Sequence, residues 1–171
     1  MADNKTLSLI GMTGCGKSTV GRIAAEMLGY RFIDLDEAIS EGEGRSIPDI
    51  FSENGEMFFR ELEAKYLSDI AEAEVSNGGT VIACGGGAPT YEKTRKVLKE
   101  KTYNVWIKRD PDSVTLNEEV LRRPPIYGDI NKYKELLKTR ETVYSMTAHT
   151  EIYNEQPEKC AEELCRLLSK I

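Results

Sequence analysis

The 171-residue chain is the length of one domain, long enough to bury a core without disulfide or metal staples. Its formal net charge of -6 argues against a basic nucleic-acid surface, so an anionic ligand has to be caught locally, by a few arginines and backbone amides. Four cysteines without C-x-x-C spacing argue against a disulfide framework or zinc site, and the chain shows neither a signal-like N-terminus nor an apolar run of the roughly 18 residues a membrane span needs, so a soluble cytoplasmic protein is expected.

Residues 5–10 predict the first strand, and a complete G-x-x-x-x-G-K-[ST] phosphate loop follows it: Gly11, Met12, Thr13, Gly14, Cys15, Gly16, Lys17 and Ser18. Its glycines let successive backbone N–H groups turn toward a triphosphate. Lys17 then reaches the β and γ phosphates, and Ser18 offers its hydroxyl to Mg²⁺. The helix opening behind the loop adds its positive dipole end. Val20, Ile23, Ala24, Met27 and Leu28 mark the buried face of that helix, and Gly29 ends it.

Residues 30–34 predict a second strand that delivers Asp34 and Asp36 to its carboxyl edge. Ser46 caps a short helix near Pro48, and Phe58, Phe59, Leu62, Tyr66, Leu67 and Ile70 mark a longer amphipathic helix after Gly55. Residues 80–84 are a short apolar strand running into Gly85, Gly86 and Gly87. A helix over 91–101 and a strand over 104–108 come next. Pro111 opens a segment whose type the pattern leaves open, and Pro124, Pro125 and Gly128 make residues 122–129 a mobile loop. Helices over 132–148 and 157–170 flank a weak strand over 150–153. Strands alternating with helices imply an α/β fold, a parallel sheet covered on both faces with ligands outside the carboxyl ends of its strands.

Three sets of residues invite a chemical reading. If the segment is extended, Asp34 and Asp36 point to one side, where one carboxylate can hold a Mg²⁺ shell through water and the other accept a proton from an attacking hydroxyl. The competing reading is a solvated turn or a helix cap by Asp36. Arg60 and Arg140 read locally as ordinary helical charges, with Glu56 and Glu63 available to pair Arg60. His149, the one histidine, reads as a surface or cap residue, and Cys15 as a packing residue within the phosphate loop.

Taken together, Gly11 to Ser18, the Asp34-Leu35-Asp36 pair, Gly55-Glu56 with Phe59-Arg60 and Glu63, Gly85-Gly86-Gly87-Ala88, Arg123-Pro124 and Arg140 resemble the shikimate kinase family in content, order and spacing. The resemblance covers nearly the whole chain. It implies a three-layer P-loop kinase fold, a central parallel sheet of about five strands in a single domain over 1–171, with substrate-binding helices over about 36–64 and a mobile lid over about 112–128. The implied reaction transfers the γ-phosphate of ATP to the 3-hydroxyl of shikimate, a step toward chorismate and the aromatic amino acids.

On this resemblance Gly11, Met12, Thr13, Gly14, Cys15, Gly16, Lys17, Ser18, Thr19 and Arg123 contact ATP. Asp36, Arg60, Gly85, Gly86, Gly87 and Arg140 contact shikimate. Lys17, Asp36 and Arg123 act in catalysis, and Ser18, with Asp34 through water, holds Mg²⁺. The implied partners are ATP and shikimate alone, on a monomer with no nucleic acid or membrane. The chain departs from the family's pattern in its acidic stretch over 112–120, which lacks an arginine that many members place against adenine, and in Cys84, where a hydroxyl or small apolar residue is usual. A gluconate kinase-like enzyme would have less use for two carboxylate-gripping arginines beside a triple glycine. A non-catalytic nucleotide-binding module would need neither a base nor a lid cation.

Overall fold

The computed structural model describes residues 6–73, 78–114 and 129–170. Five parallel strands, β1 (Thr6–Ile10), β2 (Arg31–Asp34), β3 (Thr80–Ala83), β4 (Tyr103–Lys108) and β5 (Thr150–Tyr153), form one sheet in the order β2-β3-β1-β4-β5. β1 and β3 are buried along their whole length, as strands covered on both faces must be. Side-chain alternation then divides the core in two. Leu7, Leu9, Val81, Val105 and Ile107 face one layer, and Ile10, Ile82 and Trp106 face the other.

The first layer is built by α1 (Lys17–Leu28) and α6 (Pro157–Leu168), which pack on each other through Val20, Ala24, Ala161 and Leu164. Gly29 ends α1 in the left-handed conformation, at φ 67°, with the N–H of Tyr30 donating to Ala25 O at 2.8 Å. The second layer holds α2 (Leu35–Glu43), α3 (Ile47–Ala73), α4 (Glu92–Lys101) and α5 (Ile130–Thr147). α3 is kinked at Gly55, whose φ of 82° and ψ of 171° only glycine adopts without strain. The expected short helix near Pro48 and the longer one after Gly55 are the two sides of this kink.

The strands fall within a residue or so of their expected bounds, and Pro111 opens a short 3₁₀ turn, Pro111–Ser113. Most of the expected lid, with Arg122 and Arg123, lies outside the described residues. His149 ties strand starts together: its Nδ1 accepts from the N–H of Asn104 at 2.9 Å and its ring stacks on Tyr103. His149 is itself exposed, in keeping with the surface reading, and its partner is a strand N–H rather than a helix end. None of the helices described is long and apolar enough to cross a membrane.

Candidate active site

The two strand-to-glycine junctions, after β1 and after β3, lie at the carboxyl edge of the sheet. The phosphate loop leaves β1 and turns into α1 at Gly16, which sits at φ 94° as the helix N-cap. Lys17 is nine-tenths buried and folds back over the loop, donating to Gly11 O and Met12 O, each at 2.8 Å. Its Nζ lies 3.8 Å from Cys15 Sγ, a thiol packed in the core below. The lysine thereby straddles the loop that a phosphate chain would enter.

One expectation about β2 is overturned. Asp34 and Asp36 do not lie on one extended segment, because α2 begins at Leu35. The capping role also falls on Asp34 and not on Asp36: Asp34 Oδ1 accepts from the N–H groups of Asp36 and Glu37, at 3.1 and 3.4 Å. Four N–H groups at a new helix end need acceptors, and a carboxylate one residue before the helix serves two of them. Its other oxygen, Oδ2, accepts from Ser18 Oγ at 2.6 Å. Asp34 thus still reaches the serine paired with it on sequence grounds. Asp36, carried on the first turn of α2, faces the triple-glycine loop.

That loop sets the far wall. A Cβ built on Gly85 would stand 2.6 Å from Glu63 Oε1 and 3.0 Å from Asp36 Oδ1, and one on Gly87 would strike the Arg60 guanidinium. On Gly86 it would stand 3.0 Å from the Thr13 backbone nitrogen. Side chains at these positions would collide with the protein's own atoms: two carboxylates, a guanidinium and Thr13. Glycine is what lets three charged groups and the phosphate loop converge on one strand end.

Arg60 is paired in the way a surface helix charge would be, with Glu63 Oε2 at 2.6 Å and Glu56 Oε1 at 2.9 Å. It is nevertheless buried, with 8 % of its surface exposed, and Glu63 has none. Burial pulls the guanidinium downward, but Glu63 and Glu56 outweigh it and hold Arg60 above its ordinary value. Burial pushes Glu63 up, to about 7, against the opposing pull of Arg60. Arg140, on α5, reaches the same place: its charge acts on Glu63, and its Nη1 lies 4.0 Å from Met12 Sδ. One turn along α5, the buried Tyr144 hydroxyl donates to Gly86 O at 2.6 Å, holding the middle of the glycine loop.

The structure therefore brings Lys17, Ser18, Asp34, Asp36, Arg60, the three glycines and Arg140 to one crevice. Glu63 and Tyr144 are additions that the sequence reading missed as site residues. Each sits one helical turn from an arginine already singled out, three residues from Arg60 and four from Arg140, which is the available signal. Cys84, at the start of the loop, is pushed up to about 12 by burial, so its thiol stays protonated and packs.

The raised Glu63 carboxyl has a consequence for stability. Between the ordinary 4.5 of a free glutamate and about 7, the folded chain holds a proton that the unfolded chain has released. Its contribution is complete below about pH 4.5 and is lost as pH rises through 7. The difference in unfolding free energy between wild type and Glu63→Gln should therefore fall across that window and level off above it. Denaturant titrations at several pH values measure it, and a difference rising with pH would contradict the burial argument.

A lysine-bearing phosphate loop, a carboxylate beside it and two converging arginines define a P-loop kinase built for a small anionic substrate. The family model described as shikimate kinase matches residues 13–169. A shikimate kinase from Zymomonas mobilis is 42% identical over 147 residues, covering 83% of this chain and 80% of its own. The structure titled "Shikimate kinase from Acinetobacter baumannii in complex with shikimate" superposes with a TM-score of 0.86 at 32% identity, over 97% of this chain and 93% of that one. A gluconokinase from Sinorhizobium meliloti, 19% identical with a TM-score of 0.55, over 99% of this chain and 94% of its own, shares the fold alone. The chain belongs to the shikimate kinase family, whose reaction is the ATP-dependent phosphorylation of shikimate.

Proposed function

We propose that the crevice performs this reaction with the following division of labour. Arg60 and Arg140 grip the shikimate carboxylate, Asp36 binds ring hydroxyls and takes the proton of the 3-hydroxyl, and the phosphate loop from Gly11 to Thr19 holds ATP. The observation that carries the reading is the burial of Arg60. A buried guanidinium already saturated by carboxylates would have no reason to face a crevice, but Glu56, which supplies one of its two pairs, is largely exposed and free to swing out for an incoming anion. A planar fork then meets the carboxylate with paired donors.

As the 3-oxygen forms its bond to the γ-phosphorus, the bond from γ-phosphorus to the bridging oxygen breaks and ADP leaves with that electron pair. Lys17, released from Gly11 O and Met12 O, follows the charge moving onto the phosphate oxygens. Arg123, outside the described residues, is assigned to the lid as a second cation at the transferring group. Ser18, with Asp34 through water, would hold Mg²⁺, a hard cation that takes oxygen donors. Mg²⁺ bound there would neutralise phosphate charge. All these groups come from one chain, so the enzyme is read as a functional monomer.

Arg60→Ala or Arg140→Ala should weaken shikimate binding by about 2 to 5 kcal/mol while ATP binding changes little. Lysine at either position should restore only part of it, since a point charge does not reproduce the fork. Calorimetry with each ligand checks both statements. The reading as a whole is tested by following ADP and phosphorylated product with shikimate or gluconate as acceptor: turnover with shikimate supports it, and turnover with gluconate alone would replace it.

A further inference from the structure

We infer that Asn154 is a positioning residue for the nucleotide, acting through the peptide that joins Cys15 to Gly16. Asn154 stands directly after β5, far from the phosphate loop in sequence, and is 2 % exposed. Its backbone N–H donates to Lys108 O at 2.8 Å, which extends the ladder between β4 and β5 and fixes where the side chain starts. Its Nδ2 donates to Cys15 O at 2.8 Å. A Cβ on Gly16 would strike that same Nδ2, so the amide lies flat against the glycine that turns the loop into α1.

The amide has one productive orientation. Turned over, it would set Oδ1 against a carbonyl oxygen, acceptor against acceptor, and leave Cys15 O without a donor. In a trans peptide the carbonyl and the following N–H point in opposite directions from one rigid plane. By holding Cys15 O on the β5 side, Asn154 aims the N–H of Gly16 to the other side. The carbonyls of Gly11 and Met12 are held by Lys17 and that of Gly16 by the N–H of Val20 at 2.9 Å. Lys17 is the group that must leave its carbonyls when phosphates arrive. Asn154 holds a different carbonyl from the two held by Lys17, so its grip on the loop persists through binding. Gly16 lacks a side chain of its own for capping α1, and no side-chain cap is made there, which leaves the orientation of this peptide to the neighbouring strand.

The inference rests on the assignment of residues 11–19 to ATP. It is tested with Asn154→Asp, which keeps the shape but sets an anionic oxygen against Cys15 O, and Asn154→Ser, which removes the reach of the amide with little loss of fold. Dissociation constants for ATP and for shikimate are measured separately by calorimetry, with thermal unfolding of each variant and with Lys17→Ala alongside. Asn154→Asp should bind ATP about ten- to a hundredfold more weakly and Asn154→Ser less severely so, with shikimate affinity within about twofold of wild type in both. The KM for ATP should rise accordingly, and the KM for shikimate should not. ATP affinity unchanged in both variants would overturn the inference, as would equal losses for both ligands, the signature of a general disturbance. Wild type that fails to bind ATP would instead sink the assignment of the loop itself.

Discussion

Lys17→Ala should lose phosphoryl transfer, with kcat lower by about 10²–10³ or more, and still fold. The Lys17 Nζ donates to two carbonyls of its own loop, Gly11 O and Met12 O, each at 2.8 Å, and makes a weaker contact with Cys15 Sγ at 3.8 Å. Removing it costs those two bonds, on the order of 1–3 kcal/mol together, a loss that a domain with two packed core layers tolerates. The larger loss comes when charge moves onto the phosphate oxygens in the transition state, where Lys17 is the phosphate loop's own cation. Circular dichroism and a thermal melt check the fold, and a coupled assay of ADP release checks turnover. Turnover at the wild-type rate would remove the phosphate loop from the mechanism.

Asp36→Asn should reduce kcat by about 10² or more, with only a small change in affinity for ATP. The residue sits on the first turn of α2, half-buried, opposite Gly85 and within the field of Glu63. Asparagine fills the same space and can still bond to ring hydroxyls, but it cannot take the proton of the attacking 3-hydroxyl. A base acts in the transition state alone, so its loss shows in kcat. If the KM for shikimate rose while kcat held, Asp36 would be a binding group and the proton would have another destination.

The fold was legible because its signals are local and mutually consistent. Strand starts, the glycine ending α1 and the kink at Gly55 all follow from side-chain pattern and from backbone conformations few residues tolerate. The Asp34-Asp36 pair was misread in detail, since alternation along a strand cannot show where the strand stops. The missing clue was Glu37 three residues after Asp34, a spacing that favours a helix start at Leu35. Arg60 was ambiguous for a different reason. Its pairing with Glu56 and Glu63 is what the helix spacing allows, whereas its burial is produced by Gly87 and by the layers closing over α3, contacts distant in sequence. Only the resemblance to a family placed it in the site. Asn154 carried no local signal at all, because its role depends on β5 ending beside the loop that follows β1.

The central claim, that Arg60 and Arg140 read a carboxylate, is tested most directly by titrating the wild-type enzyme calorimetrically with shikimate and then with an analogue that lacks the carboxylate and keeps the ring hydroxyls. The account predicts tight binding of shikimate and a loss of about 2 to 5 kcal/mol for the analogue, with the difference shrinking in Arg60→Ala and Arg140→Ala. Equal affinity for the two ligands in the wild type would contradict it.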